Sequence, residues 1–297
     1  MGIGYQFTDR STIDYELWYL EGLKMPLRGP RTVFDLKHKY WVFAGAAQTF
    51  GRFTPRPFPR LVSSWFSVPH LNFGFAGAGP EYFVRQDSVV EKINASERCF
   101  LQVMSGRSTS TSLLKAIGFG GVLQFTTGAL QGQRFLAADA YRKLLAHYGR
   151  DSLDQQIQEA RQNWVLAYEE LLSRIRVPAV CVWINLEEEE GQSTKNSVLG
   201  GFPHLITAEE LSIFDKMGVD VVPIHLHESP RQLLLDFTTR KPCEVFDAAQ
   251  FPTRPVWSRA INTYYPTPEM HETIGREVIA YLQRKDVFPD RKPTGVS

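Results

Sequence analysis

Three features are scarce or missing in this sequence: cysteine, a long apolar run and an excess of charge of one sign. The three cysteines, Cys99, Cys181 and Cys243, lie far apart, so we expect no disulfide framework and a reducing, cytoplasmic location. No apolar stretch approaches the ~18 residues of a membrane-spanning helix, and no signal peptide is recognisable at the N-terminus. The 33 basic and 32 acidic residues nearly cancel, which excludes long-range attraction to nucleic acid or to an anionic membrane.

The composition that is present indicates a well-packed globular protein. Hydrophobic residues make up 43% and aromatic residues 12% of the 297 positions, which is enough to bury a sizeable core. We expect an N-terminal cap segment over residues 1–39, a single α/β domain over residues 40–285 and a C-terminal tail over residues 286–297.

Apolar segments that alternate with helical segments indicate the fold class. Such an alternation is typical of a parallel sheet covered by helices on both faces. The sequence therefore predicts a three-layer α/β/α sandwich with a mostly parallel five-stranded sheet. The five predicted strands are residues 40–44, 71–75, 99–104, 177–186 and 219–226. The predicted helices cover residues 80–94, 134–148, 152–174 and 268–283, with a further helix beginning at a capping box at Thr207 and an irregular glycine-rich insert at 118–134.

The first two strands, with the helix between them, organise the prediction of a site. A β-α-β unit places its two strands parallel in one sheet. Ligands of open parallel sheets bind beyond the carboxyl ends of the strands. We therefore expect the small-residue turns at 45–51 and 74–79 to line one crevice.

Two family resemblances bear on this crevice. The order of strand, turn, helix, the segment Leu71 to Gly74, a third strand and a late helix carrying His271 resembles the SGNH (GDSL-type) hydrolase superfamily. More closely, four segments resemble an uncharacterised bacterial family that is described only as a domain of unknown function. These segments are Arg28-Gly29-Pro30, the turn from Phe43 to Phe53, Pro57-Phe58-Pro59 and Gln102-Val103-Met104.

The SGNH resemblance implies a flavodoxin-like sheet and specific site residues. The superfamily has a Gly-Asp-Ser nucleophile turn after strand one, and this chain has Gly45-Ala46-Ala47 there. Because alanine has no nucleophile, Thr49 or Ser108 becomes the candidate hydroxyl and His271 the candidate base. The resemblance implies that Ala47 and Gly74 supply oxyanion donors, with Ser105 or Arg107 in place of the family's asparagine. Gln48 and Asn185 complete the predicted substrate-binding set.

Residues 105–112 form a second candidate feature. They hold six hydroxyl residues beside Arg107 after a buried strand. A hydroxyl-rich turn that precedes a helix offers N–H groups, hydroxyls and a helix N-terminus to an anion. The run also resembles the phosphosulfate-binding loop of some sulfotransferases. Capping of a following helix by serine or threonine explains the same residues without a ligand.

We expect an atypical SGNH-like enzyme of ester or acyl chemistry, an esterase or an O-acyltransferase, acting on a small molecule or a carbohydrate. One alternative is a sulfo- or phospho-group transferase that holds an anionic donor at residues 105–112. The other is a catalytically silent protein that binds a ligand or partner in the same crevice. No cofactor and no metal site is predicted: His225 and His227 share one side of a strand, but no third ligand is nearby in sequence except Glu228.

Overall fold

The computed structural model describes residues 9–31, 39–118, 120–186, 198–227, 230–243, 245–246, 258–259 and 261–285. Its central sheet consists of β1 (Trp41–Gly45), β2 (His70–Gly74), β3 (Arg98–Gln102), β7 (Ala179–Leu186) and β8 (Asp220–Leu226). The helices are α1 (Ala47–Phe50), α2 (Phe58–Phe66), α3 (Pro80–Val84), α4 (Asp87–Asn94), α5 (Ala137–Arg174), α6 (Ser212–Lys216) and α7 (Pro268–Arg284). The remaining strands are β4 (Leu114–Ala116), β5 (Val122–Phe125), β6 (Arg134–Leu136), β9 (Gln232–Leu233), β10 (Val245–Phe246), β11 (Ser258–Arg259) and β12 (Ile261–Asn262).

The strand order of the central sheet confirms the predicted fold class. The order is β2-β1-β3-β7-β8, and each neighbouring pair is parallel. This is the flavodoxin-like order, in which the direction of winding reverses between the first and third strands. The five predicted strands coincide with these five strands to within two residues at each end.

Alternate residues of the buried strands face two different cores. On β1, Trp41 and Phe43 pack with Phe100 against α2 and α7. Val42 and Ala44 face the opposite layer, which contains α4 and the second half of α5. Because both faces of the inner strands are covered, β1 is buried along its whole length and β3 and β7 are mostly buried, whereas the edge strand β8 includes exposed residues.

The glycine-rich stretch at 118–134 is not the irregular insert that the sequence predicts. β4, β5 and β6 form a three-stranded antiparallel sheet, which packs its apolar side chains against the first half of α5. These strands have three or four residues each. Strands this short alternate over too few positions to be distinguished from a loop by pattern alone.

Two helix predictions also differ from the structure. The helix predicted at 80–94 is divided into α3 and α4, with a break at Arg85 and Gln86. The two helices predicted at 134–148 and 152–174 are joined in α5, where Gly149 has a φ of 82°. Glu210 accepts hydrogen bonds from the Thr207 amide and hydroxyl, yet α6 begins only at Ser212.

The segment 9–31 lies along the β2 edge of the sheet. Arg28 forms an antiparallel bridge with Asn72 of β2, and Trp18 forms one with Leu27. The predicted cap over residues 1–39 and the domain bounds remain predictions. The predicted acidic loop at 187–190 and tail at 286–297 lie outside the described residues. Within the described part of the chain, no helix combines the length and the apolar character that crossing a bilayer requires.

Candidate functional site

The carboxyl edge between β1 and β3 is filled by a hydrogen-bonded amide cluster. The Gln102 Oε1 atom accepts from the Ala46 amide at 3.0 Å, from the Thr49 amide at 3.2 Å and from the Thr49 hydroxyl at 2.7 Å. Its Nε2 atom donates to Gln48 Oε1 at 3.2 Å. Gly45 permits this contact, because a Cβ atom there would lie 2.3 Å from Thr49 Oγ1. The reversal point of the sheet is therefore packed with protein side chains.

This cluster does not support Thr49 as a nucleophile. The Thr49 side chain is 1% exposed, and its hydroxyl donates to an amide oxygen. A carboxamide is far too weak a base to activate a hydroxyl, whereas nucleophilic catalysis needs an adjacent base. Gln48 and Ala47 belong to the same buried turn.

Gly74 has a packing role that competes with its predicted oxyanion role. Its amide donates to Asn72 Oδ1 at 2.9 Å. A Cβ atom at this position would lie 2.1 Å from the Phe50 amide nitrogen. The close approach of α1 to β2 therefore requires glycine here, and the donor expected for an oxyanion is already used.

His271 is inside the protein and not on the crevice wall. It is 0% exposed, stacks against Phe58 with ring centroids 6.1 Å apart, and accepts a hydrogen bond at Nδ1 from the Phe58 amide. Burial, and then the charge of Arg28, lowers the pKa of His271 to about 3. No hydrogen bond in the described part of the chain links it to Thr49 or Ser108. These features do not support the predicted role of general base.

The donors of Ser110, Thr111 and Ser112 are used by two carboxylates and an amide oxygen of the protein itself. The Ser110 amide and hydroxyl donate to Glu81, and the Ser112 amide and hydroxyl donate to Glu159. Thr111 Oγ1 donates to Gln156 Oε1 at 2.5 Å. The segment leads into strand β4, not into a helix, so the helix N-terminus expected for anion binding is absent from this turn. The predicted anion loop binds internal carboxylates.

A different group of side chains comes together beside the exit of β3. His204 Nε2 lies 3.2 Å from the Tyr264 hydroxyl, and His204 Nδ1 lies 2.8 Å from the Gly200 carbonyl oxygen. The carbonyl can only accept, so Nδ1 carries the proton and Nε2 accepts from Tyr264. The guanidinium of Arg107 lies 5.6 Å from the centre of the Tyr264 ring.

The backbone around this group is held from two sides. The Gly106 amide and the Ser105 hydroxyl both donate to the His204 carbonyl oxygen, at 2.9 and 3.3 Å. On the other side, Trp164 and Tyr168 of α5 hydrogen-bond the backbone of residues 102–104. The loop that carries Arg107 is thus fixed relative to His204.

Burial, followed by the charge of Arg107, lowers the pKa of His204 to about 4. The imidazole is therefore neutral near pH 7 and, like His271, a weaker base than a free histidine; what distinguishes His204 is the hydroxyl hydrogen-bonded to its ring. A hydroxyl hydrogen-bonded to an imidazole, with the second ring nitrogen oriented by a fixed acceptor, is the arrangement that activates nucleophiles. The arrangement of Tyr264, His204 and Gly200 meets this geometric requirement.

A cleft opens on the β2 side of the same edge, with an empty volume of about 410 Å³. Ser108 is the predicted site residue that lines it. Glycines form much of its wall, and the polar side chains come mainly from α3. Its lining includes Gly77, Gly79, Glu81, Tyr82, Arg85 and Gly121.

The remaining predicted site residue, Asn185, lies on β7 and does not line this cleft. Asn185 Nδ2 is 3.4 Å from His225 Nδ1 on the neighbouring strand β8. Among the residues that the structure describes, no group of three or more His, Cys, Asp or Glu side chains could hold a metal ion.

Sequence reasoning missed His204 and Tyr264 because 60 residues separate them. Neither belongs to the motifs that carry the family resemblance. A usable signal is nevertheless present: an imidazole directly follows a Gly-Gly-Phe-Pro turn, 18 residues after the end of the fourth predicted strand and before the fifth. A histidine in a loop after a parallel strand is a reasonable candidate for the carboxyl edge.

Comparisons with known proteins add little to this geometry. A profile of the family described as "Domain of unknown function (DUF6473)" matches residues 3–115. No curated protein matches the chain. Among solved structures, the chain is similar to a protein described as lipolytic and of the G-D-S-L family, from Desulfitobacterium hafniense DCB-2, with 12% identity and a TM-score of 0.36. That alignment covers 82% of this chain and 99% of the other. At this TM-score the likeness carries no argument, and the fold assignment rests on the strand order.

Proposed function

We propose that this protein is a hydrolase-like enzyme of ester or acyl chemistry whose reacting pair is Tyr264 and His204. The observation that carries the proposal is the hydrogen bond from the Tyr264 hydroxyl to His204 Nε2, with Nδ1 anchored on the Gly200 carbonyl. The pair takes the roles that the sequence assigns to Thr49 or Ser108 and to His271. The substrate is an ester of a small molecule or of a carbohydrate.

In this mechanism His204 Nε2 removes the phenol proton as the Tyr264 oxygen attacks the acyl carbon. The bond to the leaving alcohol breaks, and the imidazolium returns the proton to that alcohol. Water, deprotonated by the same imidazole, then hydrolyses the aryl ester and regenerates the phenol. Arg107, beside the Tyr264 ring, stabilises the negative charge that develops on the phenol oxygen and the acyl oxygen.

The test is hydrolysis of p-nitrophenyl acetate by the full chain and by two pairs of variants. Tyr264→Phe and His204→Gln should each lower kcat/KM by about 10²–10⁴, the usual contribution of a positioned acid or base. Thr49→Val and His271→Asn should retain activity in the fraction that folds. If activity instead follows Thr49 and His271, or if the wild type hydrolyses no ester, the assignment is wrong.

A second candidate, a catalytically silent ligand-binding protein, is favoured by one observation. Two positions that the SGNH pattern uses for catalysis have structural partners here: the Gly74 amide donates to Asn72, and His271 is buried against Phe58. In this case the cleft beside Ser108 is the binding site, and Tyr82 offers a ring on which a sugar can stack. Glycan-array binding that is lost in Tyr82→Ala, with no ester hydrolysis, would favour this candidate.

The third expectation, a sulfo- or phospho-group transferase, has lost its supporting feature. Glu81, Glu159 and Gln156 take the donors at residues 110–112, and the segment leads into strand β4 and not into a helix, so we do not propose it.

A further inference from the structure

Arg28 is a buried cation whose charge is not matched by a bonded carboxylate. Its side chain is 4% exposed, and its guanidinium lies 4.5 Å from the Tyr15 ring centre and 5.3 Å from that of Phe50. Nη2 donates to the Thr54 carbonyl oxygen at 2.7 Å. Nε and Nη1 are buried and have no hydrogen-bond partner. Two strong donors are therefore left unsatisfied inside the protein, which is rare and costly.

Two further unpartnered polar atoms belong to the same region. Thr54 and His271 are both 0% exposed, and Thr54 Oγ1 and His271 Nε2 have no partner. Since His271 Nδ1 accepts from the Phe58 amide, Nε2 carries the proton and is a donor. Thr54 is joined to Arg28 through its carbonyl, and the charge of Arg28 acts on the His271 ring.

All four unpartnered atoms of this group can donate a hydrogen bond. Three are nitrogen donors, two of Arg28 and one of His271, and the fourth is the Thr54 hydroxyl. The carboxylates whose charges act on Arg28 are Glu16 and Asp14, and both are exposed, with Glu16 paired to Arg60. A buried water would have to donate its own two protons, and it would meet mainly donors. A small anion needs donors only, and it would also neutralise the guanidinium.

We propose that a small monovalent inorganic anion with the size and charge of chloride binds between Arg28, Thr54 and His271 as a structural ligand. Arg28 Nε and Nη1, Thr54 Oγ1 and His271 Nε2 are its donors. The anion joins three parts of the chain: the N-terminal segment, the turn before α2 and the first turn of α7. This site is separate from the pair formed by Tyr264 and His204.

The first test is thermal unfolding of the full chain in sodium chloride and in sodium gluconate at equal ionic strength, because gluconate is too large for a buried site. The Tm should rise with chloride concentration and follow a binding curve, whereas gluconate should have little effect. Arg28→Met should abolish the difference between the two salts. Arg60→Met is the matched control and should keep it, because Arg60 is 34% exposed and pairs with Glu16.

Thr54→Val supplies a test that survives if Arg28→Met does not fold. Valine has the shape of threonine and removes a hydroxyl that has no protein partner. Without an anion, this substitution should leave the Tm unchanged or raise it, since an unsatisfied buried group disappears. With an anion, it should reduce the gain in Tm that chloride produces.

Crystals grown in bromide give a direct answer, because bromide is an anomalous scatterer. An anomalous peak within hydrogen-bond reach of Arg28 and His271 would support the site. A water molecule at that position, or a Tm that responds equally to chloride and gluconate in the wild type, would overturn the proposal.

Discussion

Arg28 and Arg52 are both buried arginines, and their surroundings differ sharply. Arg52 is 2% exposed and donates to both carboxylate oxygens of Asp9, from Nε at 2.8 Å and from Nη2 at 2.9 Å. Its Nη1 atom donates to the Tyr265 hydroxyl at 3.2 Å. Arg28 is 4% exposed and has one carbonyl acceptor and two aromatic rings.

The difference shows that equal burial does not mean equal compensation of charge. Asp9 is held in place by the Tyr15 hydroxyl, which donates to it at 2.7 Å. Burial, and then the charge of Asp9, raises the pKa of Tyr15 well above its usual value. The segment around Asp9 therefore completes an ion pair with the turn after β1. The charge of Arg28 is also buried, but no carboxylate among the described residues is bonded to it.

Asp9→Asn should have the largest effect on stability, because it makes the Arg52 site resemble the Arg28 site. Removing one partner of a buried ion pair leaves an unpaired charge and typically costs about 3–5 kcal/mol. Urea unfolding measures the change. Asp139→Asn is the control: its partner Arg142 is 64% exposed, and an exposed pair contributes about 0–1 kcal/mol. Equal losses in the two variants would contradict the comparison.

Gln102→Leu tests a second buried side chain whose polar atoms all have hydrogen-bond partners, and its effect on stability should be the next largest. The substitution leaves two amides and one hydroxyl without their acceptor. We expect a loss of about 2–4 kcal/mol in the free energy of unfolding, since each orphaned buried donor costs about 1–3 kcal/mol and the losses do not add fully. Gln124→Leu, on an exposed bond to Arg134, should change stability by less than about 0.5 kcal/mol.

Arg28→Met, studied in gluconate, should cost less than Asp9→Asn. Methionine retains an apolar stem beside Tyr15 and Phe50 and removes the unmatched charge. The loss of the bond to the Thr54 carbonyl leaves a decrease of about 1–2 kcal/mol. Urea unfolding in both salts checks the value. A loss in gluconate as large as that of Asp9→Asn would mean that the guanidinium is already compensated by the protein.

The smallest effect expected is the pH dependence contributed by His271. Its pKa is about 3 when folded and 6.5 in the reference state, so the unfolded chain binds the extra proton. The stability contributed by the neutral ring is complete above pH 6.5 and is lost as the pH falls toward 3. One such histidine accounts for about 0.7 kcal/mol between pH 7 and pH 6. Comparing the wild type with His271→Asn in gluconate isolates this part, since His70 and His204 titrate in the same direction.

Chloride should reduce this acid sensitivity in the wild type, because a charged imidazole beside an anion is stabilised. The comparison would be contradicted if the wild type and His271→Asn lost the same stability as the pH falls, in chloride and in gluconate alike.

The fold could be predicted because its strands are buried on both faces. β1 has all five residues buried, and the other central strands are also short runs rich in apolar residues and bounded by turns, although the edge strand β8 includes exposed residues. β4 to β6 could not be predicted, because two or three alternations in a glycine-rich stretch carry no clear period. The break between α3 and α4 was missed because Arg85 and Gln86 are ordinary helix formers.

The site was less predictable, because it depends on contacts between distant segments. The edge of the sheet at which ligands bind follows from topology, and Ser105 and Arg107 do lie beside the His204 group. No local pattern shows that Gln102 occupies the Thr49 hydroxyl or that Phe58 covers His271. Residue type and spacing suggest chemistry, but burial and hydrogen-bond partners decide whether a side chain is available for it.

Two carboxylates of the protein itself occupy hydrogen-bond donors of the turn at residues 110–112. Glu81 from α3 and Glu159 from α5 each occupy an amide and a hydroxyl of the turn. A group attached to the same chain acts at an effective concentration of the millimolar order or higher. A dissolved phosphate or sulfate could bind Ser110 and Ser112 only by displacing these carboxylates, and the same bonds attach α3 and α5 to the residues that follow β3.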